Sequence, residues 1–246
     1  MRRLFYQGML ADKIMITGQD AHHLMHVMRA KAGQEVTVVD DEGSVALMEM
    51  TAFTAESVEL TLKERLEGNT ESPLHLTLVQ SLLKADKMDW IVQKAVELGA
   101  DRICPLASQN CVVQYDSKKA KQRQQRWQKI ADEAAKQCGR TKLLQVEPIC
   151  NIKDWLASAA CGEDDPLYFC YENEEQQTLK AALQANQAEK AAVLIGPEGG
   201  FTLDEARAIE AAGGQSVTLG PRILRAETAA LAALTVLQYE KGDLGS

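Results

Sequence analysis

Two short segments near the C-terminus contain the residues whose types could do chemistry. The apolar stretch "AVLIG" leads into "GPEGGF" (Gly196 to Phe201), and "SVTLG" leads into "GPRILRAETAA" (Gly220 to Ala230). Glycine has no Cβ, so a backbone rich in glycine can approach a ligand closely. In open α/β sheets, ligands bind beyond the carboxyl ends of the strands. The two loops are therefore predicted to form neighbouring walls of one ligand pocket.

The charged residues of these loops narrow the choice of ligand. Glu198 argues against a phosphate in the first loop, because an anion would face a carboxylate. The first loop also lacks the G-x-G-x-x-G spacing of dinucleotide-binding folds and the G-K-[ST] ending of a P-loop, which argues against a nucleotide-dependent enzyme. Arg222, Arg225 and Glu227 lie where a strand ends and an apolar helix begins. A structural role remains open for Glu227, since a carboxylate suits the first turn of a helix.

Neither metal chemistry nor a membrane segment is indicated. The segment "HHLMH" places His22 and His26 four residues apart, but residue 23 is His where a zinc protease would have Glu. The cysteines include no C-x-x-C pair, so reduced thiols in a cytoplasmic protein are the simplest interpretation. No apolar run approaches the roughly 20 residues that span a bilayer. We therefore expect no metal, no membrane and a cytoplasmic location.

The elements that must position the two loops alternate along the C-terminal part of the chain. From Leu74 onward, strand-like segments such as "LHLTLVQSL", "DRICPL" and "PLYFCYE" alternate with helical segments such as "ADKMDWIVQKAVELG" and "TLDEARAIEAAG". This alternation predicts a mostly parallel sheet with helices on both faces. Thr202 is the predicted cap of the helix that follows the first loop.

The first seventy residues have a different pattern. The segments "EVTVVDDEG", "SVALMEMTAFT" and "SVELTLKERL" predict strands, with a hairpin turn at "DDEGS". Residues 20–30 have helical spacing, with Asp20 as the expected N-cap. Many short strands favour a closed barrel, which protects their edges. The polar segment "EGNTESP" marks a boundary, so the predicted domains are residues 1–72 and 73–246.

The formal net charge of −8 argues against a polyanionic partner, but the basic residues are clustered. One group lies near the N-terminus, and another lies between Lys118 and Lys142, where only Asp132 and Glu133 are acidic. Solvated helix faces and a nucleic-acid surface both explain such clusters, and composition leaves both open.

The motifs "LIGPEGGF" and "LGPRILRAETAALAAL" together resemble the C-terminal motifs of the SPOUT methyltransferase superfamily, and within it the RsmE family. That family methylates a uridine of small-subunit ribosomal RNA. The resemblance continues through "KADKMDWIVQKAVELGADRICPL", "RWQKIADEAAKQCGR" and "HHLMHVMRAKAGQEVTVVDDEG", so it covers almost the whole chain. It implies an α/β fold with a trefoil-knot methyltransferase domain, a PUA-like RNA-binding β-barrel at the N-terminus, and a homodimer whose knots form the interface and share the active site.

The resemblance further implies a pocket for S-adenosylmethionine and a surface for RNA. The implied cofactor-binding residues are Tyr171, Ile195, Gly196, Pro197, Glu198, Gly199, Gly200, Leu219, Gly220, Ile223, Leu224 and Thr228. The expected RNA-binding residues are Arg2, Arg3, Arg29 and Lys31 of the N-terminal domain, together with Lys84, Lys87 and Arg140.

The implied reaction moves a methyl group from S-adenosylmethionine to N3 of a uridine in 16S ribosomal RNA. That nitrogen carries a proton, so an enzyme must stabilise the uracil anion or remove the proton during attack. Arg225 is the predicted catalytic group, because its permanent charge could favour the anion through a uracil carbonyl. Glu227 would orient the reacting groups or accept the proton. Two alternatives remain, a SPOUT methyltransferase acting on another RNA position and a non-catalytic RNA-binding or ribosome-assembly protein.

Overall fold

The computed structural model describes residues 3–158 and 165–245, which group into two compact units. Unit 1 contains the residues up to Glu71 together with Ala135–Lys142. Unit 2 contains Ser72–Ala134 and the residues from Leu143 onward. Within the described residues, no helix is both long and apolar enough to cross a bilayer.

Unit 1 is built on a five-stranded sheet. Its strands are β1 (Arg3–Phe5), β2 (Lys13–Thr17), β3 (Glu35–Val39), β4 (Val45–Phe53) and β5 (Ser57–Leu66), paired in the order β1-β3-β4-β5-β2. The predicted hairpin between β3 and β4 is confirmed, with Val39 opposite Val45. Asp40 closes its turn by accepting hydrogen bonds from the backbone N–H groups of Glu42 and Ser44. Alternate side chains of the strands, including Val38, Met48 and Leu60, form the core.

The helical segment of unit 1 begins earlier than its sequence pattern predicts. Helix α1 (Gly18–His22) continues directly into a π-helical turn at His23–Val27. The prediction that Asp20 caps this helix is wrong, because Gly18, with φ +65°, already turns the chain from β2 into the helix. Asp20 lies in the first turn, where its Oδ1 accepts a 2.8 Å hydrogen bond from Lys136 Nζ.

Unit 2 contains a parallel sheet of seven strands. They are β6 (His75–Ser81), β7 (Arg102–Ala107), β8 (Gln145–Val146), β9 (Cys150–Asn151), β10 (Leu167–Cys170), β11 (Lys190–Ile195) and β12 (Gln215–Val217). The strand order is β12-β10-β11-β6-β7-β8, and β9 also pairs with β7. The pairings between these strands are parallel. The carboxyl ends of β12, β10, β11 and β6 therefore lie side by side at one edge of the sheet.

The helices of unit 2 connect these strands. They are α2 (Lys87–Glu97), α3 (Ser117–Cys138), α4 (Ile152–Ser158), α5 (Leu179–Gln184), α6 (Leu203–Ala211) and α7 (Ala226–Lys241), of which α3 ends within unit 1. The prediction of a cap at Thr202 is confirmed. Thr202 Oγ1 accepts from the N–H of Glu205, and Glu205 Oε2 accepts from the N–H of Thr202 at 2.9 Å, so two free donors of the first turn are satisfied. Buried alanines, including Ala230 and Ala233, let α7 pack closely.

Candidate active site

Three loops enclose a single large cavity at the carboxyl edge of the unit 2 sheet. They follow β10, β11 and β12, which are adjacent in the sheet. The cavity has a volume of about 940 Å³, at the upper end of the range typical of pockets for small molecules. The two glycine-containing loops of the sequence therefore line one pocket, and the loop after β10, whose strand lies between β11 and β12, forms the third wall.

The loop after β11 is held in place by a residue from another part of the chain. Asn110 Nδ2 donates hydrogen bonds of 3.1 Å to the carbonyl oxygens of both Gly199 and Gly200. Gly200 has φ +68°, and a Cβ at this position would lie 2.5 Å from Glu172 Oε2. Both observations require glycine here, one for its conformation and one for its lack of a side chain.

The loop after β10 is organised by a carboxylate. Glu174 Oε2 accepts a 2.6 Å hydrogen bond from Ser216 Oγ, and its Oε1 accepts from the backbone N–H groups of Gln176 and Gln177. The Ser216 hydroxyl and these N–H groups hold the pKa of Glu174 below its ordinary value. In contrast, the exposed Glu172 carboxylate makes neither a hydrogen bond nor an ion pair with the described residues. Its charge is free to interact with a ligand.

The loop after β12 brings charged and apolar side chains to the rim of the cavity. Arg225 is the N-cap residue of α7, and its side chain is exposed. Arg222 is also exposed, and Ile223 between them is 80% exposed. All three residues line the cavity. The rim therefore offers two guanidinium groups beside an unburied apolar surface.

Lys87 connects two of these loops through its ammonium group. Lys87 Nζ lies 3.3 Å from Glu198 Oε1 in the first motif and 3.0 Å from Glu227 Oε2 in the second. Glu227 Oε2 is buried and makes no hydrogen bond of good geometry, so its contact with Lys87 is an ion pair. The backbone N–H of Lys84 also approaches Glu198 Oε1, at 3.3 Å. The loop after β6 is thus a fourth part of the site.

The pKa values of these three groups are shifted toward their charged forms. The nearby carboxylates of Glu227 and Glu198 raise the pKa of Lys87, and their effect outweighs its desolvation. Burial alone would raise the pKa of Glu227, but the backbone N–H of Glu227 and the Lys87 ammonium lower it overall. The pKa of Glu198 is lowered against burial in the same way, by its own backbone N–H, that of Lys84 and the Lys87 ammonium. All three groups are therefore charged near neutral pH.

The lining of the cavity fits a positively charged ligand that also has an apolar part. Glu172, Glu174, Glu175 and Glu198 contribute carboxylates, of which Glu172 and Glu175 are unpaired among the described residues. Apolar surface is contributed by Ile195, Pro197, Phe201, Val217, Leu219, Leu224, Ala226 and Ala229. S-adenosylmethionine carries a sulfonium and an ammonium on a largely apolar framework, so the residues present fit this cofactor.

The structure brings most of the expected cofactor residues together. Those that line the cavity are Tyr171, Ile195, Gly196, Pro197, Glu198, Gly200, Leu219, Gly220, Ile223 and Leu224. Gly199 and Thr228 are not among its lining residues, although the Gly199 carbonyl is held by Asn110. Their individual roles stay predictions. Sequence reasoning missed Asn110 and Glu172, because their proximity to the first motif depends on the tertiary fold.

Most of the residues expected to bind RNA are at least partly exposed to solvent. Arg29, Lys31 and Lys84 are exposed, and Arg3 is half-buried with its Nη1 3.5 Å from Thr70 Oγ1. Arg2 lies outside the described residues.

The structure corrects one expected RNA contact, Arg140, and shows that a second expected residue, Lys87, has acidic partners. The Arg140 side chain is 6% exposed and pairs with Glu71, which is also 6% exposed, so its guanidinium cannot reach RNA. Lys87 forms ion pairs with Glu198 and Glu227, and its contact with RNA stays a prediction. In the sequence, both residues look like surface cations. Only their acidic partners, which are far away along the chain, distinguish them from such cations.

The histidines of unit 1 form a local cluster without metal-site geometry. The rings of His22 and His26 lie with centroids 4.6 Å apart. In the part of the chain that the structure describes, no group of three or more His, Cys, Asp or Glu side chains could hold a metal ion.

Comparisons with known proteins agree with this architecture. A family model for an RNA methyltransferase domain matches residues 70–238, and one for an RNA methyltransferase PUA domain matches residues 16–63. The second match confirms the predicted N-terminal PUA-like domain. Proteins named Ribosomal RNA small subunit methyltransferase E are similar to this chain. The one from Bacillus subtilis is 33% identical and the match covers 94% of this chain and 91% of that protein. The one from Buchnera aphidicola subsp. Schizaphis graminum is 30% identical, with 94% and 92% covered.

Two solved structures extend the similarity to the fold. The Neisseria gonorrhoeae Ribosomal RNA small subunit methyltransferase E bound to S-adenosyl methionine matches with a TM-score of 0.89 and 31% identity, covering 99% of both chains. A methyltransferase from Legionella pneumophila in complex with the same cofactor matches with a TM-score of 0.82 and 28% identity, covering 98% of both chains.

Proposed function

This chain belongs to the RsmE family of ribosomal RNA methyltransferases, and from that membership we propose that it methylates N3 of a uridine in 16S ribosomal RNA. S-adenosylmethionine supplies the methyl group from its sulfonium. The observation that carries the proposal is the cavity of unit 2, which joins both family motifs, an unpaired carboxylate and an exposed guanidinium.

The cofactor would bind among the three loops that follow β10, β11 and β12. Gly196 and Gly200 would allow close approach to the backbone, and Glu172 and Glu198 would provide negative charge. Because Asn110 fixes the carbonyls of Gly199 and Gly200, this part of the wall is organised before a ligand arrives.

Arg225 would act on the uracil. Its exposed guanidinium lies at the rim of the cavity and keeps its charge at all relevant pH values, so it could donate to a uracil carbonyl and stabilise the anion. The N3 proton is then lost more easily to water, which makes the nitrogen a better nucleophile. Exposure in the free protein is compatible with this role, because the RNA would cover the rim.

Glu227 would orient other groups of the site and would not transfer a proton. Its pKa is lowered by its own backbone N–H and by the Lys87 ammonium, which outweigh burial. A carboxylate with a lowered pKa is a weaker base, and its ion pair with Lys87 fixes its position. The pair would therefore hold the start of α7, and with it Arg225, in place.

The other parts of the proposal concern partners. The PUA-like domain would recruit RNA through Arg29 and Lys31, which are exposed. A second copy of the chain would complete the active site, and Ile223, an exposed apolar residue at the rim, is a surface that such a copy would cover. The trefoil knot and the cytoplasmic location stay predictions from the family resemblance.

The test is a methylation assay with purified protein, S-adenosylmethionine labelled in its methyl group, and either 16S ribosomal RNA or small ribosomal subunits. Nucleoside mass spectrometry should identify 3-methyluridine. Methylation of a different atom or base would favour a related methyltransferase with another target. Cofactor and RNA binding without any transfer to either substrate would favour a non-catalytic assembly protein.

A further inference from the structure

The first half of α3 carries a strong positive charge in a chain that is acidic overall. From Ser117 to Ile130 the sequence contains six Lys or Arg residues and no Asp or Glu, against a net charge of −8 for the chain. The structure places this half of the helix in unit 2, the unit that contains the cavity. The six residues are Lys118, Lys119, Lys121, Arg123, Arg126 and Lys129.

The side of α3 that carries Trp127 anchors the helix to the rest of unit 2. Trp127 is 1% exposed, and its Nε1 donates a 3.0 Å hydrogen bond to Asp89 of α2. Gln124 and Gln128 donate to the backbone carbonyls of Val146 and Leu144. Arg126 also pairs with Asp89, at 2.5 Å. The helix is therefore attached without the remaining five cations, none of which forms an ion pair with a described residue.

Three of those cations form an exposed row. Lys118, Lys121 and Lys129 are separated by intervals of three and eight residues, which place them on one side of a helix over about 16 Å at 1.5 Å per residue. Exposed glutamine at position 125 fills the gap in the same row. A regular row of hydrogen-bond donors and positive charges suits an extended polyanion.

A neighbouring pair of cations is held on an aromatic ring. Lys119 Nζ lies 5.6 Å from the centroid of the Tyr115 ring, and the Arg123 guanidinium carbon lies 5.7 Å from it. Both distances fall within the range of cation–π attraction. Holding these long side chains in place reduces the conformational entropy that they would lose on binding a partner.

The charge of this helix also opposes its own stability. The first turn contains no acidic residue but holds Lys118 and Lys119, next to the positive end of the helix dipole. Asp116 caps this end, because its Oδ1 accepts a 2.8 Å hydrogen bond from the backbone N–H of Lys119. The charges of Lys118 and Lys119 do not add to that stabilisation, since cations are unfavourable at this end of a helix.

Helix α3 begins close in sequence to a residue that holds a wall of the cavity. Asn110, which holds the glycine-rich loop, lies eight residues before Lys118 along one continuous segment of unit 2. Eight residues span at most about 29 Å when fully extended. An RNA strand whose target base reaches the cavity could therefore continue onto this helix.

We propose that five cations of α3, the exposed Lys118, Lys119, Lys121 and Lys129 and the half-buried Arg123, form an RNA-backbone binding surface beside the cavity. This inference rests on the proposed function and adds to it a second contact region for the substrate, besides the PUA-like domain. The surface recognises phosphate, so it contributes affinity and orientation but no sequence preference.

The test compares two double variants of the full-length protein that lose the same charge. Lys118→Gln/Lys119→Gln removes two cations of α3, and Lys180→Gln/Lys190→Gln removes two exposed lysines elsewhere in unit 2. Binding of 16S ribosomal RNA is measured over a range of salt concentrations, together with cofactor binding and the melting temperature. The α3 variant should bind about tenfold more weakly near 0.1 M salt, with a slope of log affinity against log salt that is smaller by about 1.4 to 1.8.

The melting temperature separates this role from a structural one. Removal of the lysines at the positive end of the dipole should leave the melting temperature unchanged or raise it, so weaker RNA binding cannot then come from unfolding. Equal affinity and equal salt slope in the two double variants would overturn the surface while leaving the proposed function intact. A wild-type protein that binds the cofactor but no RNA would instead contradict the proposed function.

Discussion

The ammonium of Lys87 lies 3.0 Å from Oε2 of Glu227, although 140 residues separate the two positions in the sequence. The same ammonium also reaches Glu198 at 3.3 Å. One side chain at the start of α2 thereby joins the loop after β11 to the first turn of α7. Without it, two carboxylates would face each other across the cavity wall.

Replacement of Lys87 by Met should weaken the site more than the loss of a surface charge explains. We expect about a tenfold loss of cofactor affinity, equivalent to about 1.4 kcal/mol, because the two loops would repel each other. Isothermal titration calorimetry with S-adenosylmethionine measures this. Lys94→Met, which breaks only a surface pair with Glu97, is the matched control. Equal dissociation constants for the two variants would show that Lys87 does not organise the pocket.

Arg225→Ala should abolish methyl transfer while it leaves cofactor affinity within a few fold. The guanidinium is exposed at the rim and is expected to act on the uracil, and loss of one such donor typically costs a factor of about 100 to 1,000 in kcat. Single-turnover assays and cofactor titration separate the two effects. Arg207→Ala removes an exposed arginine of α6 that does not line the cavity, and it should behave as wild type. Normal turnover by Arg225→Ala would remove this residue from the mechanism.

Arg29→Ala should weaken RNA binding and flatten its salt dependence. Arg29 is exposed and has φ +51°, and alanine would bear the same backbone strain, so the comparison isolates the side chain. Loss of one phosphate contact should reduce the salt slope by about 1. Lys13→Ala, which removes a cation already paired with Glu59, serves as the control in filter-binding assays. An unchanged salt slope for Arg29→Ala would show that Arg29 does not contact the RNA.

Local signals in the sequence predicted one helix cap and one hairpin correctly. The cap at Thr202 depends on a partner three residues away, and the hairpin at Asp40 depends on contacts within four residues. Both can be recognised from adjacent residue types. The start of α1 was misplaced because Asp20 resembles a capping residue, whereas the preceding left-handed glycine sets the start of the helix.

The site was predicted where it consists of motifs and missed where it consists of long-range pairs. The loops at Gly196 and Gly220 could be located because glycine-containing segments follow two strands that are consecutive in the sequence. Lys87 and Glu198 are 111 residues apart, and Asn110 and Gly199 are 89 apart, so no local pattern connects them. Arg140 was misassigned for the same reason, since Glu71 lies 69 residues away.

Gly200→Ala should disrupt the glycine-rich wall through two separate effects. The residue has φ +68°, which strains any side chain, and the new Cβ would lie 2.5 Å from Glu172 Oε2. We expect cofactor affinity to fall at least tenfold, measured by calorimetry. Gly220→Ala carries at least as much backbone strain, with φ +115°, but has no atom within 4 Å of the new Cβ. It should lose less affinity, and an equal loss would show that the contact with Glu172 is not important.

The ion pair between Glu71 and Arg140 should make the stability of the protein depend on acid pH. Burial opposes ionisation of Glu71, but the Arg140 guanidinium and the backbone N–H groups of Thr141 and Lys142 lower its pKa overall. A lowered pKa in the folded state means that the ionised carboxylate stabilises the fold above its unfolded pKa. This stabilisation is lost as pH falls through the folded pKa.

Glu71→Gln should therefore be less stable than wild type by about 3 kcal/mol at pH 7, because it leaves a buried guanidinium without its partner. The difference should shrink below pH 4, where wild type also loses the charge, and urea unfolding across this range measures it. Glu64→Gln, at an exposed position of β5, should show neither effect. The double variant Glu71→Gln/Arg140→Met should recover part of the stability and bind RNA as wild type does, since Arg140 is buried. Weakened RNA binding in that stable double variant would contradict the structural role of Arg140.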